Sequence, residues 1–364
     1  MNEMPVTPGN ESLLKARRYM PPIKTVATVA RAPTFKTLAQ FCAEYEPLSY
    51  NVEGIVRSGS LYTLTAKTGV GKTAFMIAAA LAIATGRKDI LGTDVVQGRV
   101  AFLSFENPDD SRMRLMIAAY LLQVDISEIS ADLVVLDKRA KPEKIAAQLE
   151  EMATERPFSL ILADTLAAWF DGDNVNDSVQ GGEFMRRIRP ITRIKGLPAV
   201  LVAAHPVKNA AADNLVPYGS GAILNECDGN LCLAKQDSGL VTLHWQGKIR
   251  GLDFQPLYFR FEITGSDDVL DKKGRQVLLP TLRPSAEEFA EEREKADVNI
   301  KIELLKAMHD DPHGTQASWG VAVSRTKSIV NRKLQSLLKE KLVEVTLGKW
   351  ALTAKGRETI KNTL

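Results

Sequence analysis

The sequence predicts an α/β fold in which a mainly parallel sheet carries helices on both faces. From Leu61 to His205, short apolar runs alternate with helical patterns, as in a covered parallel sheet. A glycine-rich turn with Lys72 joins the first of these runs to an apolar helix. The 364 residues are 45% hydrophobic and 25% charged, which is typical of a folded globular chain and excludes a fibrous or wholly disordered one.

The strands and helices follow one another regularly. The strand-like runs are LYTLTA, RVAFLSF, LVVLD, FSLILAD and PAVLVAAH. The helical patterns between them are TAFMIAAALAIATG, DSRMRLMIAAYLL, PEKIAAQLEEMATE and EFMRRIRPITRIKG. LCLAK, LVTLHWQGK and LYFRFEI predict later, partly antiparallel strands of the same sheet.

Composition divides the chain into four segments. Residues 1–34 predict a flexible arm, 35–281 a large α/β domain, 282–299 a charged linker and 300–364 a separate small α+β domain. The last segment holds 12 Lys and Arg against 6 Asp and Glu, whereas the whole chain carries only +3. A basic end on an acidic body favours contact with a polyanion there.

The small domain is predicted to contain two helices and a hairpin. KIELLKAMHD gives the first helix, and the second begins at an N-cap, Ser324, with an apolar stripe along it. LVEVTLGKWALTAKG alternates around a Gly-Lys turn, and Trp319 and Trp350 are expected in the core. The order helix, helix, hairpin resembles a winged-helix domain.

The cysteines and the termini predict a cytoplasmic protein. Cys42, Cys227 and Cys232 form no CxxC pair and are too few for a disulfide framework. No run approaches about 18 consecutive apolar residues, so no membrane contact is expected.

The turn after the first strand matches a phosphate-binding P-loop. Its glycines let backbone N–H groups face a phosphate, Lys72 reaches the outer phosphates of ATP, and the Thr73 hydroxyl is a ligand for Mg²⁺. The predicted ATP-binding residues are Ala66, Lys67, Thr68, Gly69, Val70, Gly71, Lys72 and Thr73.

Two carboxylates at strand ends complete the predicted ATPase site. Asp164 ends FSLILAD and is expected to hold Mg²⁺. Because Thr165 and not Glu follows it, the catalytic base is sought elsewhere, and Glu106 after RVAFLSF is the candidate. An N-cap role for Asp164 and an exposed strand-end role for Glu106 are the alternatives.

A P-loop, a strand ending in S-x-E and a lone Asp resemble the RecA-like ATPases. Over residues 47–262 the chain further resembles hexameric replicative helicases of the plasmid RepA type and, more distantly, the DnaB type. VAFLSFEN, LILADTLAAWFDGDNVND, LVAAHPVKN, YGSGAILNECDGN and WQGKIRG occur in the order found there.

This resemblance implies roles for further residues. His205 would sense the γ-phosphate, and Lys248 and Arg250 would act as cationic fingers in a neighbour's site. The loops Asp171–Glu183 and Pro206–Gly219 would line a channel for single-stranded DNA, with Lys208 as a contact. Ordinary structural or solvated roles stay open for all four side chains.

The winged helix predicts further DNA contacts from one helix and the hairpin. These are Arg325, Lys327, Asn331 and Arg332 on the second helix and Lys349 on the hairpin. Winged helices also bind proteins, so a protein-binding role remains an alternative.

The leading functional prediction is an ATP-driven DNA motor, a homohexameric replicative helicase of a plasmid, phage or mobile element with an initiator or primase as partner. One alternative is a RecA-like DNA-binding ATPase that loads or remodels other proteins without unwinding. Another is a nucleotide-switched regulator in which hydrolysis is a timer.

Overall fold

The computed structural model describes residues 35–361 apart from 212, 237 and 347. The predicted arm, residues 1–34, lies outside the described residues. The described residues divide into two compact units, residues 35–47 and residues 48–361. The described part of the first unit contains one short helix, α1 (Leu38–Ala43), which begins with a reciprocal capping box between Thr37 and Gln40.

The second unit is built on a nine-stranded sheet, as the sequence predicts. A separate two-stranded hairpin precedes it, formed by β1 (Tyr50–Val52) and β2 (Val56–Arg57). The nine strands are β3 (Leu61–Thr65), β4 (Arg99–Ser104), β5 (Leu133–Leu136), β6 (Phe158–Asp164), β7 (Ala199–Ala204), β8 (Gly229–Lys235), β9 (Leu240–Ile249), β10 (Leu257–Thr264) and β11 (Leu279–Pro284).

The order across the sheet is β11-β10-β9-β8-β3-β7-β6-β4-β5. The six strands from β8 to β5 pair in parallel, and β9, β10 and β11 add antiparallel neighbours. The expectation of a mainly parallel sheet with later antiparallel strands is therefore confirmed. Because parallel strands share one direction, β3, β4, β6 and β7 deliver their carboxyl ends to the same edge.

Helices cover both faces of this sheet and give each face its own core. One face packs against α2 (Lys72–Thr85) and α3 (Pro108–Leu121). The other packs against α4 (Pro142–Glu155), α5 (Leu166–Trp169), α6 (Ser178–Ile188) and α7 (Gly221–Glu226). α2 is apolar on every side and almost entirely buried, as expected for a helix wedged between sheet and neighbours.

The C-terminal part of the chain forms a small α+β region with its own core. It contains α8 (Ala286–Asp310), α9 (Gln316–Ala322), α10 (Lys327–Lys339), the hairpin β12 (Val343–Thr346) and β13 (Lys349–Leu352), and α11 (Ala354–Lys361). Leu305, Trp319, Leu334 and Leu337 are among its buried residues.

Several sequence-based boundaries differ in the structure. Residues 282–284 of the predicted linker end strand β11, and the rest of the linker joins KIELLKAMHD in the single helix α8. The N-cap of α10 is Thr326 and not the predicted Ser324, which has φ 52° and lies before the helix. The hairpin turn precedes Lys349, which already pairs with Thr346.

Two helices of the C-terminal region were missed. They are α9 and α11. α9 begins with a capping box between Thr315 and Ser318, but its seven residues are too few to show a clear apolar pattern.

Within the ranges that the structure describes, no helix combines the length and apolar character needed to cross a bilayer.

Candidate nucleotide-binding site

The P-loop joins the carboxyl end of β3 to the start of α2. Its two glycines have positive φ, 79° at Gly69 and 98° at Gly71, which L-residues with a side chain rarely adopt. A Cβ on Gly71 would lie 2.0 Å from Cζ of Phe261, so a side chain at this position would also have to displace the Phe261 ring. The loop borders a cleft of about 400 Å³ to which Thr68, Gly69, Gly71, Lys72 and Thr73 contribute.

The other predicted P-loop residues do not line this cleft. Ala66 is buried and its carbonyl accepts a hydrogen bond from Lys72 Nζ at 2.9 Å. Val70 packs against the core below α2, and Lys67 is exposed.

Lys72 is a buried cation at the floor of the cleft, with only 7% of its surface exposed. Burial lowers the pKa of its ammonium group, and the attraction of the Asp164 and Glu106 carboxylates opposes this shift. An anionic ligand would therefore relieve an electrostatic penalty here, which is the property expected of a phosphate-binding lysine.

Asp164 ends β6 directly opposite Thr73. Thr73 Oγ1 donates to Asp164 Oδ2 at 2.7 Å, and Oδ1 of the same carboxylate is buried without a partner among the described residues. Burial raises the pKa of Asp164, partly offset by the bond from Thr73. Mg²⁺ prefers oxygen ligands. The buried Oδ1, to which no described residue donates a hydrogen bond, and the neighbouring Thr73 hydroxyl are two such oxygens.

No set of three or more His, Cys, Asp or Glu side chains within the described ranges could hold a metal by itself. This agrees with the way Mg²⁺ is usually bound, through one or two protein oxygens together with phosphate and water. Thr73 and Asp164 thus fit the predicted cation when a nucleotide is present.

Glu106 follows β4 and its exposed side chain lines the same cleft. Its backbone N–H donates to the carbonyl of Asp164 at 3.1 Å, which ties the ends of β4 and β6 together. The carboxylate acts electrostatically on Lys72, Asp164 and His205. Glu106 therefore lies beside the phosphate site, and its carboxylate is accessible to water.

His205 follows β7 and completes this group. Its Nδ1 lies 3.3 Å from Nζ of Lys72. Burial lowers the pKa of the imidazole, and the Lys72 charge lowers it further. A neutral ring whose Nδ1 accepts from the ammonium group is consistent with both effects.

The cleft also contains residues that the sequence analysis missed. α3 begins just after Glu106 and contributes Asp110 and Arg114, which form an ion pair with Nε and Oδ2 2.5 Å apart. Their spacing of four residues on a helix predicts the ion pair but not its position in the cleft. Asn107, Ser111 and Pro280 complete this wall of the cleft.

The two loops predicted to line a channel lie together at the same edge. The hydroxyl of Tyr218 accepts from Asn176 Nδ2 at 3.0 Å, and the N–H of Ser220 donates to the carbonyl of Val175 at 3.1 Å. The N–H of Tyr218 also donates to the carbonyl of His205 at 2.6 Å. Lys208 is exposed in the second loop.

Lys248 and Arg250 lie at the opposite edge of the sheet. Ile249 pairs with Gly229, which itself pairs with Tyr62 near the start of β3, whereas the P-loop follows Thr65. Arg250 Nη1 is 2.9 Å from Asp228 Oδ1, and Lys248 donates to the carbonyls of Leu224 and Asn225. The pair is therefore separated from its own phosphate cleft by the length of a strand, about 13 Å.

The predicted C-terminal DNA contacts are all exposed but do not all belong to one helix. Lys327, Asn331 and Arg332 belong to α10, whereas Arg325 precedes it, so its prediction as a residue of the helix is wrong. Lys349 begins strand β13.

The fold and the cleft define a P-loop nucleotide-binding protein. A family model described as an AAA domain matches residues 27–211, a little over half of the chain. The chain belongs to this family of P-loop ATPases, in the RecA/DnaB-like class. A search of curated proteins finds no match to the chain.

Proposed function

We propose that this protein is an ATP-driven motor that acts on DNA as a homo-oligomeric ring, with hydrolysis at the interfaces between subunits. The observation that carries the proposal is the distance between the residues of the cleft and the two cations predicted to complete an ATPase site. Lys72, Glu106, Asp164 and His205 share one cleft, whereas Lys248 and Arg250 lie at the other edge of the sheet. Cations in that place do not reach their own cleft, and the exposed Arg250 is accessible to a neighbouring subunit.

In this proposal, each predicted site residue of the cleft has a part in ATP hydrolysis. Lys72 and the P-loop amides hold the outer phosphates, and Thr73 with Asp164 holds Mg²⁺, which neutralises phosphate charge when bound. Glu106 orients the attacking water and accepts its proton. His205, which contacts Lys72, detects the presence of the γ-phosphate.

The first unit supports assembly of several copies. α1 has no buried residue among its six, and the large apolar side chains around it are exposed. They are Phe35, Leu38, Phe41 and Tyr45. Apolar side chains repeated at this spacing are costly in water and favour association. A hexamer is the ring size that the family resemblance implies.

A mixing experiment tests the shared site directly. Lys72→Ala and Arg250→Ala are each expected to lose turnover, the second while it still binds ATP. In a mixture, some interfaces join an intact Lys72 to an intact Arg250, so activity should reappear. Normal turnover of Arg250→Ala alone would remove the argument for a ring.

Unwinding separates the motor from the loader and regulator alternatives. Strand displacement on forked DNA is measured for the natural sequence and for Lys72→Ala, together with the mass in solution. A monomer that does not unwind would contradict the motor. Stimulation of the ATPase by duplex rather than single-stranded DNA would favour the regulator.

A further inference from the structure

The C-terminal region contains a second cleft, of about 490 Å³, that shares no lining residue with the nucleotide site. It lies between the segment before α9, the first turn of α10 and the hairpin. His313, Gln316, Lys327, Lys349 and Trp350 are part of its lining. Its volume falls in the range of small-ligand sites, about 300–1,000 Å³.

The two tryptophans of this region have different environments. Trp319 is 2% exposed, and its indole N–H donates to the carbonyl of Asp311 at 3.0 Å. Trp350 is only partly buried: it packs against the same core and also lines the cleft. Trp319 also borders the cleft but is almost fully buried, which confirms the expectation of a core residue, whereas the partly buried Trp350 has the larger aromatic surface to offer to a ligand.

The charges around Trp350 select an anionic ligand. Lys327 and Lys349 are exposed at the cleft, and none of its lining residues within the described ranges is a carboxylate. The side chain of Thr326 makes no capping bond to α10, so the first-turn N–H groups add positive potential near Lys327.

Polar groups on the cleft wall are oriented by the fold. Gln316 Nε2 donates to Asn331 Oδ1 at 3.3 Å, which links the start of α9 to α10. The capping box of α9 fixes the backbone next to Gln316. The wall is thus held by contacts that do not use the aromatic surface.

We propose that this cleft binds one unpaired nucleotide of a single-stranded nucleic acid, with the base stacked on Trp350 and the flanking phosphates held by Lys327 and Lys349. An aromatic surface beside cations is how proteins hold single strands without reading sequence. A paired base has both faces covered by its neighbours in the duplex, so it has no face to offer to Trp350. The partner class rests on the proposed function, but the site does not require unwinding.

Photocrosslinking of the full chain without ATP tests this site independently of the ATPase. The probe is an oligothymidylate that carries one 5-iodouracil, and the crosslinked peptide is identified by mass spectrometry. We expect the crosslink at Trp350, competed by unlabelled single strands but not by a blunt duplex.

Three variants make the test specific. Trp350→Ala should lose the crosslink and weaken oligonucleotide binding about fivefold or more, as expected for one stacked base. Trp350→Phe should keep most of the affinity, and Lys339→Ala, an exposed lysine in the last turn of α10 and outside the cleft lining, is the matched control. Lys349→Glu changes an exposed residue and should weaken binding even where Trp350→Ala fails to fold.

Several results would overturn the proposal. A crosslink that maps elsewhere, equal competition by duplex, or unchanged binding by both Trp350→Ala and Lys349→Glu would each do so. Displacement by a phosphopeptide and not by oligonucleotide would assign the cleft to a protein partner. A crosslink at Trp350 in a protein that does not unwind DNA would retain this site and reject the motor.

Discussion

The buried charged groups at the two edges of the large sheet differ in whether their hydrogen bonds are satisfied. At the carboxyl edge, Lys72 and Asp164 are buried, and Asp164 Oδ1 has no partner among the described residues. At the amino edge, where the parallel strands begin, the buried carboxylate of Asp228 accepts hydrogen bonds from Arg250, from Arg189 and from the N–H of Leu61. Unsatisfied buried charge is costly, so the first edge is built to receive a ligand and the second is already complete.

This difference bears on the proposed ring. Arg250 is 64% exposed on its side chain, so its ion pair with Asp228 contributes at most about 1 kcal/mol after solvent screening. A neighbouring phosphate could therefore take Arg250 from Asp228 at modest cost, while Arg189 continues to satisfy the carboxylate. The amino edge loses little when it gives up one cation.

Removal of Lys72 should have the largest effect at the carboxyl edge. In Lys72→Ala the phosphates lose a buried cation, and we expect kcat/KM for ATP to fall roughly 10³-fold. Lys88→Ala, an exposed lysine after α2, is the control and should change turnover little. Steady-state ATPase kinetics check this, and near-normal turnover of Lys72→Ala would place the ATP site elsewhere.

Glu106→Gln tests whether chemistry and binding separate. The amide keeps the shape but is a poor proton acceptor, so kcat should fall about 10²-fold or more while ATP affinity changes little. Asp109→Asn, an exposed acid in the first turn of α3, is the matched control. Equal loss in both variants would argue against Glu106 as the base.

The site residues at the carboxyl edge could be predicted because the parallel topology of the sheet brings them together. Once β3, β4, β6 and β7 are recognised, their following residues must meet at one edge, and Lys72, Glu106, Asp164 and His205 follow. Asp110 and Arg114 were missed because they belong to a helix whose direction from Glu106 depends on packing. The cleft at Trp350 depends on the separation of three C-terminal segments, which no local pattern specifies.

His205 should make ATP binding depend on pH. Its pKa in the free protein is below the usual 6.5, so the ring is neutral at pH 7. Nearby phosphate charge raises that pKa, so binding takes up protons and ATP affinity rises as pH falls between the free and bound pKa values.

Calorimetry near pH 6 in buffers of different ionisation enthalpy measures this uptake directly. The effect is limited to one proton, or at most about tenfold in affinity per pH unit. His205→Gln should lose that contribution, while any contribution from Lys72 remains in both proteins. The same proton uptake in the variant would show that His205 does not face the phosphates.

The smallest effect is expected from the hydroxyl of Tyr218, which joins the two loops beside His205. Tyr218→Phe removes one hydrogen bond to Asn176, about 0.5–1.5 kcal/mol, and keeps the backbone bond to His205. If the loops respond to nucleotide together, ATP should slow tryptic cleavage after Lys208 in the natural sequence. That protection should weaken by a few-fold in Tyr218→Phe, whereas Tyr120→Phe on α3 should behave as the natural sequence does. Identical protection in all three proteins would show that the loops respond to nucleotide without this hydrogen bond between them.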